Sequence, residues 1–205
     1  MAKYNTVFVD VDTQADFMLP TGKLYVPGAE KIIPTIERLR DFAEEHGVPV
    51  ITSTDAHATD DPEFRQWPAH CVRATPGQLK IPASLLSRYM VVPQERRYAL
   101  IDAELSRYQQ WILEKDDLDM FTNPQADDLV GRFDVGQYVV YGVATEYCVR
   151  LAVLGLLERK RPVTLLLDAI REIEAEGGQK ALLEMKAGGA KLLNTEDVLA
   201  TVAAR

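Results

Sequence analysis

Apolar positions along the chain fall into two rhythms. Short apolar runs of the kind that form strands occupy Thr6 to Asp12, Val48 to Thr52, Met90 to Val92, Gln110 to Leu113, Gln137 to Val140 and Val163 to Leu167. Helical spacing marks Glu30 to His46, where Ile32, Ile33, Ile36, Leu39 and Ala43 recur and Gly47 supplies a stop. Pro34 falls in the first turns of that helix, where a missing N–H costs least. A second helix is expected over Glu146 to Arg159, with Val149, Ala152, Val153, Leu156 and Leu157 on one face. Strands alternating with helices predict an α/β fold, a mostly parallel sheet covered on both sides. In such open sheets, sites form beyond the carboxyl ends of the strands.

No internal repeat, low-complexity tract or pooled Pro and Gly interrupts the pattern, so one domain over residues 1–205 is expected. The least regular stretch is Arg73 to Arg107, with Pro76, Gly77, Pro82, Pro93 and the charged turn Gln94-Glu95-Arg96-Arg97. It reads as a long surface excursion around one short strand. The composition is ordinary for a globular protein, 47% hydrophobic and 26% charged. A net charge of -8 with no block of Lys and Arg argues against nucleic acid and anionic lipid as partners. No apolar run approaches the roughly 20 residues that cross a bilayer. Met1-Ala2-Lys3-Tyr4-Asn5 leads straight into a strand containing an Asp, which is not an export signal. A cytoplasmic location is therefore expected, in which Cys71 and Cys148 stay reduced.

Three strand ends carry candidate chemistry. The first runs into Asp12-Thr13-Gln14-Ala15-Asp16-Phe17, where a dinucleotide site would place glycines; an acidic end repels a pyrophosphate. A carboxylate there suits a general base, or a cap on the following turn. The second runs into Thr54-Asp55-Ala56-His57, with His70 following in Trp67-Pro68-Ala69-His70-Cys71. In extended chain Asp55 and His57 face the same way and, with His70, can form a three-ligand metal set; a surface Asp–His hydrogen bond is the alternative. Asp60, Asp61 and Glu63 either add a fourth oxygen or form a solvated acidic loop. His46, at a helix end, needs no role beyond the helix terminus.

The third is Gly142-Val143-Ala144-Thr145-Glu146-Tyr147-Cys148, a strand end entering a helix. With Thr145 as N-cap, Cys148 lies in the first turn, where N–H groups and the helix dipole favour a thiolate and can stabilise an oxyanion. The alternative is a small buried apolar residue, and Cys71, with no helix start, is assigned that role.

With Asp-x-Gln-x-Asp-Phe at 12–17, Asp-x-His at 55–57, Trp-Pro-x-His-Cys at 67–71 and Gly-Val-Ala-Thr-Glu-Tyr-Cys-Val-Arg at 142–150, the chain resembles the isochorismatase-like cysteine hydrolases. Within them it is most similar to the nicotinamidase (pyrazinamidase) group. The resemblance implies a three-layer α/β/α fold and a catalytic trio of Asp12, Lys115 and Cys148. On its own Lys115 reads as a charge in the acidic turn Glu114-Lys115-Asp116-Asp117. Asp10, two residues before Asp12 on the same strand face, is a competing base, and the motif register selects Asp12. The resemblance further implies an oxyanion hole of the Ala144 and Cys148 N–H groups, with a cis peptide between Val143 and Ala144. Phe17, Trp67 and Tyr147 would line a flat aromatic pocket. Asp55, His57 and His70 would hold a divalent ion, zinc first, with iron or manganese as alternatives, that binds a pyridine nitrogen. The implied reaction turns nicotinamide into nicotinate and ammonia through a thioester. A homo-oligomer is expected. The segment from His70 to Lys115 is longer than the group's usual one and is expected to cover the pocket or build a subunit contact, which leaves room for another primary amide as substrate. A non-catalytic metabolite-binding member is the remaining alternative.

Overall fold

The computed structural model describes residues 5–94 and 100–203 and arranges seven parallel strands in one sheet. In chain order these are β1 (Thr6–Val11), β2 (Val50–Asp55), β3 (Tyr89–Val92), β4 (Gln110–Lys115), β5 (Gln137–Val143), β6 (Val163–Arg171) and β7 (Lys191–Leu193). The α-helices are α1 (Ala15–Met18), α2 (Ile33–His46), α3 (Asp102–Leu105), α4 (Ala126–Gly131), α5 (Arg150–Glu158), α6 (Ala175–Ala187) and α7 (Thr195–Ala203). The strand order β3-β4-β2-β1-β5-β6-β7 puts β1 at the centre. After β4 the chain crosses to the other side of β1, so the order reverses between β1 and β5. Ligand crevices of open α/β sheets form at such a reversal.

Every residue of β1 and β2 is buried, as parallel strands covered on both faces require. Alternate residues feed two cores. Val7, Val9, Val11, Leu113 and Val140 pack under α4, α5 and α6, against Leu129, Val153, Leu156 and Met185. Phe8, Val50, Val139 and Tyr141 pack on the opposite face against Ile36, Leu39 and Ala43 of α2 and Val198 and Leu199 of α7. The result is the expected three-layer arrangement. Among the described residues no helix is long and apolar enough to cross a membrane.

The helix read from Glu30 starts as a tight turn over Ala29–Ile32 before α2, and Gly47 closes α2 in the left-handed region at φ 67°. The helix read from Glu146 starts as a wide π-type turn, Thr145–Val149, which precedes α5. Thr145 is therefore not the N-cap; that place belongs to Ala144. β7, three residues long, has no run that stands out, and α6 is diluted by Gly177 and Gly178. The excursion does hold one short strand, β3, at the sheet edge. Of its charged turn, Glu95 to Arg97 lie outside the described residues, as do Met1 to Tyr4.

One glycine sets how closely β5 meets β1. Gly142 sits at φ 124°, and a Cβ there would lie 2.0 Å from the Val11 carbonyl oxygen. Gly142→Ala should therefore destabilise the fold by roughly 3 kcal/mol through backbone strain and overpacking. Urea unfolding measures this; an unchanged midpoint would show that the two strands do not need this approach.

Candidate active site

The carboxyl ends of four strands converge. Asp55 and Lys115 are register partners on β2 and β4, and Val11 pairs with Ser53 on one side and Gly142 on the other. Asp12, just past β1, adopts a left-handed backbone at φ 49°. Lys115 Nζ lies 2.9 Å from Asp12 Oδ2 and 3.7 Å from Cys148 Sγ, and it pairs with Asp55 Oδ1. Ser53 Oγ donates to Asp12 Oδ1 at 2.7 Å, and the neighbouring Cys148 thiol influences the same carboxylate. Asp12 and Lys115 are wholly buried, and Asp55 and Cys148 nearly so. Lysine is almost never sequestered this way unless paired, so the turn-charge reading of Lys115 gives way to a buried cation closing β4.

Burial raises the Asp12 carboxyl pKa while Lys115 pulls it back. Burial disfavours the Lys115 charge, but Asp12 and Asp55 outweigh that and hold its pKa well above the ordinary value. Burial also pushes the Cys148 thiol well above its usual range, against Lys115 and with help from Asp12. The helix start was expected to favour a thiolate; desolvation overrides it, and the resting group is a thiol.

Asp10 does not compete for this site. The left-handed turn at Asp12 breaks the alternation of the strand, so the two carboxylates do not share a face; Asp10 pairs instead with Lys80 at 2.9 Å. The Val143–Ala144 peptide is cis, and Ala144 and Cys148 line the same pocket.

Beside Lys115, Asp55 turns its second oxygen to the histidines. Asp55 Oδ2 lies 3.6 Å from both His57 Nε2 and His70 Nε2, and the three candidate ligand atoms fall within 4.8 Å of one another. The histidines' other nitrogens are held by hydrogen bonds: His57 Nδ1 donates to Asp61 Oδ2 at 3.0 Å and His70 Nδ1 to the Pro68 carbonyl at 2.8 Å. Such bonds leave Nε2 to act as a metal ligand. His57 Nε2 is buried and has no hydrogen-bond partner among the described residues. Against burial, Asp55 and Asp61 raise the His57 pKa to about 9, and a field that favours a proton there favours a metal cation too. The residues therefore fit a divalent ion with two nitrogens and one carboxylate, a set that suits zinc or ferrous iron. Asp61 supports His57, Glu63 Oε1 stands 3.9 Å from His70 Nε2, and Asp60 is exposed.

The pocket above these groups is walled by Phe17, Trp67 and Tyr147, joined by Leu24, Val26, Leu118 and Ile173, with Asp55, Glu63 and His70 at its polar end. The Trp67 and Tyr147 rings meet edge to face at 5.5 Å, and Phe17 packs on His70. None of the described residues from Arg73 to Arg107 lines it. His46 is exposed against Phe42, and Cys71 is a fully buried thiol, as expected.

Several supporting residues were not singled out from the sequence. The Gln14 amide acts as a strand partner for Asp55, accepting from its N–H at 2.7 Å and donating to its carbonyl at 2.8 Å. Asp16 accepts from the N–H groups of Lys23 and Cys71, and Glu146 accepts from those of Ile173 and Glu174, which fixes one pocket wall to the nucleophile's turn. The signal was present in the motifs that contain Gln14, Asp16 and Glu146.

The chain is 26% identical to a nicotinamidase of Escherichia coli (strain K12), over 91% of this chain and 93% of the relative. It is 24% identical to a nicotinamidase of Saccharomyces cerevisiae, over 86% and 94% of the two chains. The solved pyrazinamidase of Pyrococcus horikoshii in complex with zinc superposes with a TM-score of 0.74 at 31% identity, covering 93% of this chain and 99% of that one. A family model described as Isochorismatase domain matches residues 6–197, and the chain belongs to that family.

Proposed function

We propose that this amidohydrolase converts nicotinamide to nicotinate and ammonia through a thioester on Cys148. One observation carries the reading: Asp55 touches Lys115 with one oxygen and faces His57 and His70 with the other, which ties the nucleophile's cluster to the metal-type set within one aromatic slot. A flat ring bearing a carboxamide and a ring nitrogen presents an electrophile to the first and a lone pair to the second. The nicotinamidase names of the relatives support the same choice.

In this mechanism Asp12 takes the Cys148 proton as sulfur attacks the amide carbon. Lys115 stays cationic and favours the anionic form of each neighbour. The N–H groups of Ala144 and Cys148 receive the oxyanion. Asp12 then returns the proton to the leaving ammonia, and water hydrolyses the thioester. Asp55, His57 and His70 would hold a divalent ion, zinc by its donor set with iron or manganese as other occupants, which supplies a Lewis-acid contact for the ring nitrogen.

A coupled ammonia assay over a panel of amides tests the reading. Nicotinamide and pyrazinamide should be turned over, and benzamide, which lacks the ring nitrogen, should be a poor substrate. Chelation should weaken nicotinamide binding about tenfold or more, near 1.4 kcal/mol, with recovery on adding zinc. A different amide turned over far better than nicotinamide would overturn the substrate assignment. Release from no amide in the panel would make the chain a binding protein.

A further inference from the structure

The pair of Asp10 and Lys80 is buried, charged and unused by the chemistry above. Asp10 is fully enclosed in β1 and Lys80 nearly so, although it comes from the irregular excursion. Lys80 Nζ lies 2.9 Å from Asp10 Oδ2 and donates to Thr13 Oγ1 at 2.7 Å. The Thr13 hydroxyl donates in turn to Asp10 Oδ1 at 2.8 Å, closing a triangle around the residue that follows Asp12.

The backbone repeats this grip. Ile81 N–H donates to the Thr13 carbonyl at 3.0 Å, Ala15 N–H to the Leu79 carbonyl at 2.8 Å, and Gln14 Nε2 to the Gln78 carbonyl at 2.8 Å. Gln14 and Lys80 form an antiparallel bridge. Asp12 sits between this clamp and β1 in a left-handed conformation that is uncommon for a residue with a Cβ, though less so for Asp than for most. A buried ion pair is a weak device for stability, since apolar substitutes often serve as well; fixing a register is its best-attested use.

We propose that Asp10 and Lys80 are positioning residues for the catalytic base: by gripping Thr13 they hold the turn that aims the Asp12 carboxylate at Cys148 and Lys115. The excursion thus acts on the reaction from behind the base. The proposal rests on Asp12 serving as base to Cys148, not on which amide is the substrate.

The test compares Lys80→Met and the double variant Asp10→Asn/Lys80→Met with the parent and with Asp12→Asn. The double variant leaves no buried charge unpaired, so it keeps the fold if the single change does not. Two readouts are taken on folded enzyme: kcat and KM for the best amide of the panel, and the rate of Cys148 alkylation by iodoacetamide, followed on its peptide by mass spectrometry. Displacing the base should lower kcat by about 10- to 100-fold with KM little changed. Alkylation of Cys148 should shift in the same direction as in Asp12→Asn. A folded double variant with parental kcat and parental alkylation would overturn the proposal. So would losses in Lys80→Met that disappear in the double variant, because an unpaired charge would then be the whole cause. Alkylation that follows Asp12→Asn in a protein inert toward nicotinamide would uphold the positioning role and reject the substrate.

Discussion

Replacing Cys148 by alanine should abolish ammonia release, by about 10⁴-fold or more, while the unfolding midpoint stays close to that of the parent. Without sulfur no thioester forms, and Cys148 is the thiol that stands 3.7 Å from Lys115. The loss of one small buried atom costs little packing, so activity and stability should separate cleanly. Measured turnover at the parental level, abolished only by chelation, would mean that a metal-bound hydroxide performs the hydrolysis and would sink the covalent mechanism.

Replacing Lys115 by methionine should damage both fold and chemistry. Asp12 and Asp55 would be left buried without their counter-charge, at an expected cost of about 3–5 kcal/mol, and turnover should fall by about 10³-fold or more. The deficit has a sign in pH. Burial alone raises a carboxyl pKa; Lys115 now opposes that rise at Asp12 and reverses it at Asp55. In the variant both would lie above the unfolded value of about 3.9, so stability is lost as pH climbs through the acid range. Urea unfolding should therefore show the largest gap from the parent at neutral pH and a smaller one in acid. A gap independent of pH would mean that shape, not charge, makes Lys115 necessary.

The apolar pattern finds six of the seven strands and stops short of the site. In β2 the apolar run fades at Thr52, yet pairing continues to Asp55 opposite Lys115, and β4 likewise runs on through Glu114 and Lys115. Strand ends that face a site carry polar side chains, so hydrophobicity reads them as loops. Asp12 shows the converse: its place in the sequence is plain, but its direction depends on a left-handed turn that no spacing reveals. Lys80 sits in an irregular stretch with no local signal and meets Asp10, 70 residues away, only after folding. Cys148 is legible as a helix-start cysteine, whereas its raised pKa arises from burial, which Asp12 and Asp55 reinforce and Lys115 opposes. The motifs carried what periodicity could not, because they list residues that meet only after folding.

The enclosure of Asp12, Asp55, Lys115 and Cys148 also bears on traffic through the site. When the proton passes from sulfur to Asp12, the negative charge given up by that carboxylate reappears on the substrate oxygen, so the sealed cluster keeps the same total charge during bond formation. No ion has to enter to balance the step, which leaves the chemistry insulated from the salt outside. On the proposed reaction the charge balance changes only at departure, when a neutral amide has become a carboxylate. A protein of net charge -8 attracts no such anion and favours its escape.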